Sequence, residues 1–465
     1  MKVNRALTTA QLQLLTRSLP LDCRAALERN PPPCSLSDMR AVIAAACLTL
    51  FATPAAAQDY SRQAAAAADL REICRADAGR LWSASLCAPL IVVDARTRAA
   101  WATQRDDAGV LSLTADGGWA GVLPQGVPIA NTTMNWGGVR WIMVVGPLPE
   151  DAAARRVLVM HEAWHRLQDS IGLPMGNVNA AHLETERGRY LMRLELRALS
   201  TAMMSNGRAR RTAARDALSF RLARYAAFAD ARTQEASLDR NEGLASYTGV
   251  KLGAADGAHL FAARTLNDYD QHDAFARAYA YASGPAYGLL LDEFAPGWRS
   301  SLAAWAPADL LVGPLRAEVL TTRDLQRRGQ RYGGPQIAAE ERARAQAQRR
   351  LIAGLRTRFA EGPRLELPLA QIQFEFDPEQ VTPVEGLGSV YQTLVLRDLW
   401  GEFRATDGAL ISENFTLLTA AAPAPGALYG PGWTLALAPG YRIGVPDGAG
   451  VVRVEPIPPP SSPGD

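Results

Sequence analysis

The 465-residue sequence has little net charge, few cysteines and no long apolar run. Its 49 basic residues are nearly balanced by 47 acidic ones, which gives a net charge of +2. Nucleic-acid binding usually requires a basic excess, so we expect no nucleic-acid partner. No apolar run reaches the ~20 residues of a membrane-spanning helix, so we expect no membrane span in the mature chain. A peptide, protein or small-molecule partner is the expectation that remains.

A short apolar segment near the N-terminus is typical of an export signal. Met39 and Arg40 are followed by AVIAAACLTLF and then by the small residues of ATPAAAQ. This order predicts a signal peptide over 39–57, cleaved after Ala57. Residues 1–38 are expected to be a misassigned start without structure. The mature chain is therefore expected in the periplasm or outside the cell, although a membrane anchor is the alternative for the same segment.

Two cysteines follow the predicted cleavage site, Cys74 and Cys87. An even pair in an oxidising compartment predicts one disulfide. Two buried thiols are the alternative. Their spacing does not match the paired cysteines of a structural zinc site.

The pattern of the remaining chain predicts an α+β fold. One helix and short apolar strands such as VRWIMVVG predict a small mixed α/β region over 58–149. Helical periodicity, interrupted at PMGN, SNG and SGP, predicts a mainly helical domain over 150–330. The remaining segments are predicted to be a charged linker helix (331–362), a small antiparallel β domain (363–456) and a disordered tail (457–465).

The segment VLVMHEAWHRLQ contains two of the five histidines. The acidic residues before it and the glycine and proline after it predict a helix from about Asp151 to Ser170. His161 and His165, four residues apart, would then share one helix face, close enough to reach one Zn²⁺. Glu162 lies one step round the helix, where it could contact water beside such an ion. The alternative is a helix whose two histidines are ordinary core residues.

His161-Glu162-Ala163-Trp164-His165 resembles the H-E-x-x-H motif of the zincin metallopeptidases. The resemblance implies one zinc ion per chain, two histidine ligands, and Glu162 as the general base that activates water to hydrolyse a peptide bond. It also implies a zincin-like helical catalytic domain. Arg166 departs from the family, which usually has an uncharged residue there.

A third ligand must come from elsewhere, because no histidine closely follows the motif. Glu242, in RNEGLASYTG, is followed by small residues that would let two helices approach closely, and this stretch resembles the glutamate helix of the gluzincins. Glu195 is the second candidate, as a ligand or as a partner of an imidazole. Glu184 and Glu186 are further alternatives.

Zincin chemistry also needs a donor to the oxyanion. Tyr247 and Tyr281 are the first candidates, followed by Tyr279 and Tyr287, although a single tyrosine of this kind is more often a core residue. We further expect Gly284-Pro285 to break its helix. VRWIMVVG could form a sheet edge that pairs with an extended peptide, as the equivalent strand does in zincins, or an ordinary buried strand, and the sequence favours neither.

These features predict an exported, gluzincin-type zinc peptidase. Two alternatives remain open: a zinc hydrolase of a non-peptide amide, and a non-catalytic periplasmic binding or assembly protein that retains a zincin-like fold.

Overall fold

The computed structural model of the protein describes residues 59–173, 176, 179–302 and 306–458. The predicted signal peptide, the segment before it and most of the predicted tail lie outside these residues. Within them the α+β prediction is confirmed, because helices and strands segregate along the chain. In the same residues, no helix is both long enough and apolar enough to cross a membrane.

The N-terminal region consists of one helix and a mixed sheet. Helix α1 (Ser61–Asp77) precedes six strands that, among the described residues, are ordered β3-β4-β2-β1-β6-β5. Strands β1 and β6 are parallel, and the other pairs are antiparallel. The strands are β1 (Leu90–Asp94), β2 (Ala99–Ala102), β3 (Ser112–Leu113), β4 (Trp119–Val122), β5 (Thr132–Trp136) and β6 (Val139–Gly146).

Two predictions for this region have different outcomes. Cys74 and Cys87 lie at disulfide distance with Cα atoms 5.2 Å apart, as the pairing requires. Of the two alternatives for VRWIMVVG, the ordinary buried strand is confirmed and the sheet edge is wrong, because β6 lies between β1 and β5. A continuous apolar run is typical of a strand with both faces covered, and four consecutive residues of β6 are buried. The edge is instead β5, which a turn at Gly137-Gly138 joins to β6.

The middle of the chain is helical. Its helices are α2 (Ala152–Gln168), α3 (Glu186–Met203), α4 (Gly207–Ala227), α5 (Ala231–Leu238), α6 (Leu244–Gly253), α7 (Ala258–Tyr269), α8 (Tyr279–Phe294), α9 (Val312–Leu315) and α10 (Thr322–Gly329). A five-residue π-turn (Asp239–Gly243) connects α5 to α6 without a break.

The predicted motif helix is confirmed as α2. It begins after Asp151, whose carboxylate accepts a hydrogen bond from the Ala154 N–H at 2.7 Å, as expected of an N-cap. It ends at Gln168, and a short 3₁₀ turn follows, closed by Gly172 in the left-handed region.

Of the predicted helix breaks that the described residues cover, one is confirmed and one is wrong. SNG does separate α3 from α4, whereas most of PMGN lies outside the described residues. The predicted break at Gly284-Pro285 is wrong, because α8 continues through Pro285. The proline lies in the second turn, where it removes only one backbone hydrogen bond, and the apolar packing on both sides retains the helix.

The C-terminal region is a β domain that follows helix α11 (Gly334–Arg356), which confirms the helix predicted in the linker. In the described part of this domain, two sheets are ordered β17-β18-β7-β14-β13-β10-β9 and β15-β16-β12-β11-β8. They share an apolar core that includes Leu367, Leu396 and Phe403. All strand pairs are antiparallel except β7 and β18. The strands are β7 (Arg364–Pro368), β8 (Gln373–Phe376), β9 (Val381–Val384), β10 (Gly388–Tyr391), β11 (Leu394–Asp398), β12 (Gly401–Ala405), β13 (Ala409–Ser412), β14 (Leu417–Ala421), β15 (Tyr429–Gly430), β16 (Trp433–Leu437), β17 (Tyr441–Ile443) and β18 (Val451–Pro456).

Candidate metal centre

Three side chains from two helical segments converge on one point. The Nε2 atoms of His161 and His165 lie 3.1 Å apart. Oε2 of Glu242 lies 3.3 Å from Nε2 of His161 and 3.5 Å from Nε2 of His165. The fold therefore brings together the two histidines of α2 and the glutamate that the sequence favoured as their partner.

Glycines allow the two helices to approach this closely. A Cβ atom on Gly249 would lie 2.5 Å from the backbone oxygen of Val157, and one on Gly253 would lie 2.6 Å from the Val157 nitrogen. Helices α2 and α6 thus pack backbone against backbone. The sequence pointed to the small residues directly after Glu242, but Gly243 instead faces Gly284 of α8.

The π-turn presents Glu242 to the histidines. Such turns insert an extra residue into a helix and are frequent at functional sites. The amide of Asn241 donates to Oε1 of Glu242 at 2.9 Å, which leaves Oε2 facing the imidazoles. This oxygen is buried and lacks a hydrogen-bond partner.

The Nδ1 atom of each imidazole, which faces away from Glu242, also has a hydrogen-bond partner. Nδ1 of His165 lies 3.2 Å from the amide oxygen of Gln168, which can only accept, so this nitrogen carries the proton. Nδ1 of His161 lies 3.2 Å from the hydroxyl of Ser246, whose oxygen can accept a hydrogen bond in the same way. With the protons on Nδ1, both Nε2 atoms present lone pairs to the point that Oε2 of Glu242 also faces, and these three atoms could hold a metal ion.

The electrostatics of the cluster favour an anionic Glu242. Burial opposes its ionisation, but the two imidazoles outweigh burial and hold the pKa of Glu242 well below its usual range. Burial likewise disfavours the charged form of His165, yet the facing carboxylates of Glu242 and Glu162 raise its pKa. Burial raises the pKa of Glu162, against the opposing effect of the two histidines.

The cluster fits a tetrahedral zinc ion. Ligand bonds of ~2.0–2.1 Å at tetrahedral angles place neighbouring ligand atoms about 3.4 Å apart. The three distances given above lie within a few tenths of an ångström of this value. The unpartnered Oε2 supports the same conclusion, since a buried carboxylate oxygen normally has a partner.

Glu162 lies beside this point without joining the three. Its Oε1 is 3.9 Å from Nε2 of His161, and its Oε2 is buried without a hydrogen-bond partner. A carboxylate in this position can take a proton from a water molecule held between it and the cluster.

A cavity of about 300 Å³ opens beside the cluster. Tyr281 lines it, and its ring stacks on that of His161 with centroids 5.5 Å apart. Burial and the nearby Glu242 carboxylate raise the pKa of Tyr281, so its hydroxyl stays protonated and can donate. Apolar side chains also line the cavity, among them Val157, Val250 and Phe261.

Tyr247, the other expected oxyanion donor, lies elsewhere, and that prediction is corrected. Its hydroxyl donates to the Asp292 carboxylate, with the two oxygens at 2.8 and 3.0 Å. Its ring packs edge-on against Trp82 and Trp298. Five helical positions after Glu242 correspond to a rotation of about 140°, which points Tyr247 away from the cluster. Ser246, four positions after Glu242, remains on its face.

Glu195, the second candidate for the third ligand, also lies outside the site. It is fully buried and forms ion pairs with Arg221 at 2.8 Å and Arg224 at 2.7 Å. Tyr287 donates to Glu195, and Tyr279 donates to Asp239, so neither tyrosine faces the cavity. A sequence pattern cannot distinguish a buried carboxylate with arginine partners from one with histidine partners.

Neither of the two remaining candidate ligands belongs to the cluster. Glu184 accepts a hydrogen bond from the Ala276 N–H at 3.0 Å, and Glu186 is exposed at the start of α3.

The sequence did not reveal the outer partners Ser246, Gln168 and Asn241. Helical spacing could have identified Ser246, because it follows Glu242 by four positions.

Comparison of the chain with protein-family models, with curated proteins and with solved structures finds no match.

Proposed function

We propose that this protein is a zinc-dependent hydrolase of peptide bonds, with His161, His165 and Glu242 as the zinc ligands. The observation that carries the proposal is the convergence of two imidazole nitrogens and an unpartnered carboxylate oxygen within 3.1–3.5 Å of one another. When bound, zinc supplies Lewis acidity that polarises a carbonyl group and makes water more acidic.

Glu162 is the proposed general base. It is nearly fully buried at the edge of the cluster, and burial raises the pKa of its carboxyl. A raised pKa makes the carboxylate a stronger base, so it accepts a proton from water more readily than an ordinary carboxylate does, and the carboxylic acid so formed can pass that proton to the leaving amine. Tyr281 would donate a hydrogen bond to the oxyanion that forms on the substrate.

The residues around the cavity favour a peptide substrate. Strand β5 is a sheet edge that packs beside α2, and Asn131, just before β5, lines the cavity. An edge strand can pair with an extended backbone. The apolar wall at Val157 and Phe261 would receive a bulky apolar side chain next to the cleaved bond.

We also propose that the protein works outside the cytoplasm. The Cys74–Cys87 pair supports this, because disulfides persist in oxidising compartments.

The test is hydrolysis of a diverse peptide library by the purified protein, read by mass spectrometry, beside the Glu162→Gln variant. We expect cleavage next to bulky apolar residues by the wild type. The variant should retain zinc and lose activity by about 100-fold or more. Absence of peptide cleavage by the zinc-loaded wild type would contradict the proposal, and cleavage of small amides alone would favour a non-peptide substrate.

A further inference from the structure

A buried ionic cluster includes the first residue of the π-turn that carries Glu242, and its members are Arg221, Arg224, Glu195, Glu235 and Asp239. Four of these residues are fully buried, and Asp239 is 4% exposed. The two arginines come from α4, the first glutamate from α3, and the other two carboxylates from α5 and the π-turn. Buried charges are costly unless they are paired, so their presence here calls for a structural or functional reason.

Within this cluster, Asp239 links the arginines to the segment that carries Glu242. Asp239 is the first residue of the π-turn. Arg221 donates from Nη1 to its Oδ2, and Tyr279 of α8 donates to its Oδ1 at 3.1 Å. The same tyrosine hydroxyl lies 3.0 Å from the backbone oxygen of Glu235, one turn earlier. Side chain and backbone are therefore held together where the π-turn begins.

The end of the turn is held by a second contact. A Cβ atom on Gly284 of α8 would lie 2.3 Å from the Cα of Gly243, so the two backbones touch. Helix α8 thus contacts both ends of the turn, through Tyr279 at the start and Gly284 at the end.

The π-turn needs such support because its extra residue makes it less favourable than regular helix. If the turn relaxed by one residue, Glu242 would rotate by about 100° around the helix axis. Its carboxylate would then no longer face His161 and His165.

We propose that Asp239, held by Arg221 and Tyr279, is a positioning residue that locks the π-turn and so aims the Glu242 carboxylate at the metal. This inference rests on the proposed zinc site. It adds that the site depends on a carboxylate that does not itself touch the metal or the substrate.

The test compares zinc affinity across variants of the full chain, measured by competition with a chromogenic chelator. Asp239→Ala should weaken zinc binding by about 10- to 100-fold, the range seen when the support of a metal ligand is removed. Asp239→Asn retains an oxygen that can accept from Arg221 and should bind zinc nearly as the wild type does. Of the two Asp239 variants, only Asp239→Ala should show altered visible absorption with cobalt(II) in place of zinc, because its ligand geometry changes.

The matched control is Asp216, another fully buried carboxylate. It accepts from the hydroxyl of Tyr332 at 3.0 Å and pairs with Arg328 and Arg331, but it has no contact with the π-turn. Asp216→Ala should destabilise the fold similarly and leave zinc affinity unchanged. Equal losses in the two alanine variants, or unchanged affinity in Asp239→Ala, would overturn the inference.

If Asp239→Ala does not fold, a milder pair of variants decides the question. Tyr279→Phe removes the hydroxyl that donates to Asp239, and Tyr332→Phe removes the hydroxyl that donates to Asp216. Only the first should weaken zinc binding and alter the cobalt spectrum. Failure of the folded wild type to bind any zinc would refute the proposed function together with this inference, whereas normal binding by both phenylalanine variants would refute the inference alone.

Discussion

Replacing Gly249 by alanine should disturb the metal centre through the backbone alone. The added Cβ would lie 2.5 Å from the backbone oxygen of Val157, whereas real contacts of this kind essentially never fall below 3.0 Å. Because the obstructing atom belongs to the backbone, no side-chain rotation can relieve the contact. Helices α2 and α6 must therefore move apart by roughly 0.5 Å, the difference between these two distances.

That movement is large on the scale of metal coordination. It would lengthen the distance between Nε2 of His161 and Oε2 of Glu242 from 3.3 Å to about 3.8 Å, whereas metal–ligand distances tolerate only ~0.2 Å. We therefore expect zinc affinity to fall about tenfold or more. Overpacking should also lower the free energy of unfolding by about 1–3 kcal/mol.

The assay is zinc titration of the folded variant, with denaturant unfolding measured alongside. The control is Gly354→Ala in α11, where the added methyl group meets nothing within 4 Å. That change should raise stability by up to about 1 kcal/mol and leave zinc binding unchanged. Wild-type zinc affinity in Gly249→Ala would refute the idea that the close helix approach sets the metal geometry.

Three further predictions concern catalysis, zinc and the disulfide. Tyr281→Phe should lower kcat about 100-fold or more with little change in KM, because it removes an oxyanion donor. Tyr247→Phe, whose hydroxyl contacts Asp292 away from the cavity, should leave kcat unchanged, and equal effects in steady-state assays would contradict the assignment. Zinc at 1,000 times its Kd should stabilise the fold by about 4 kcal/mol. This gain would appear as a higher Tm that a chelator reverses, and an unaltered Tm would argue against a specific site. Replacing Cys74 and Cys87 by alanine should cost about 3 kcal/mol in the free energy of unfolding, because the 13-residue separation closes a short loop. An unchanged denaturant midpoint would show that the bond contributes nothing.

Local pattern was sufficient to predict α2 and the shared face of its histidines. Helix periodicity, an N-cap at Asp151 and a glycine stop are all encoded within a few residues of each other. The α+β class followed for the same reason, because alternation and helical periodicity are short-range signals.

Long-range pairing was harder to predict. Glu242 and Glu195 both lie in helical segments, and only the fold shows that one faces histidines and the other faces arginines. The π-turn left no mark in the sequence that periodicity could detect, although it determines the direction of Glu242. Strand order and the passage of α8 through Pro285 likewise depend on packing partners far along the chain.

The most direct test of the proposed site is the zinc content of the folded protein after exhaustive dialysis, measured by elemental analysis. The wild type is compared with His161→Ala, Glu242→Ala and Glu195→Gln. We predict one zinc ion per chain in the wild type and in Glu195→Gln, and none in the other two variants. Folded wild type without zinc, or one zinc ion per chain retained in either His161→Ala or Glu242→Ala, would contradict the metal centre described here.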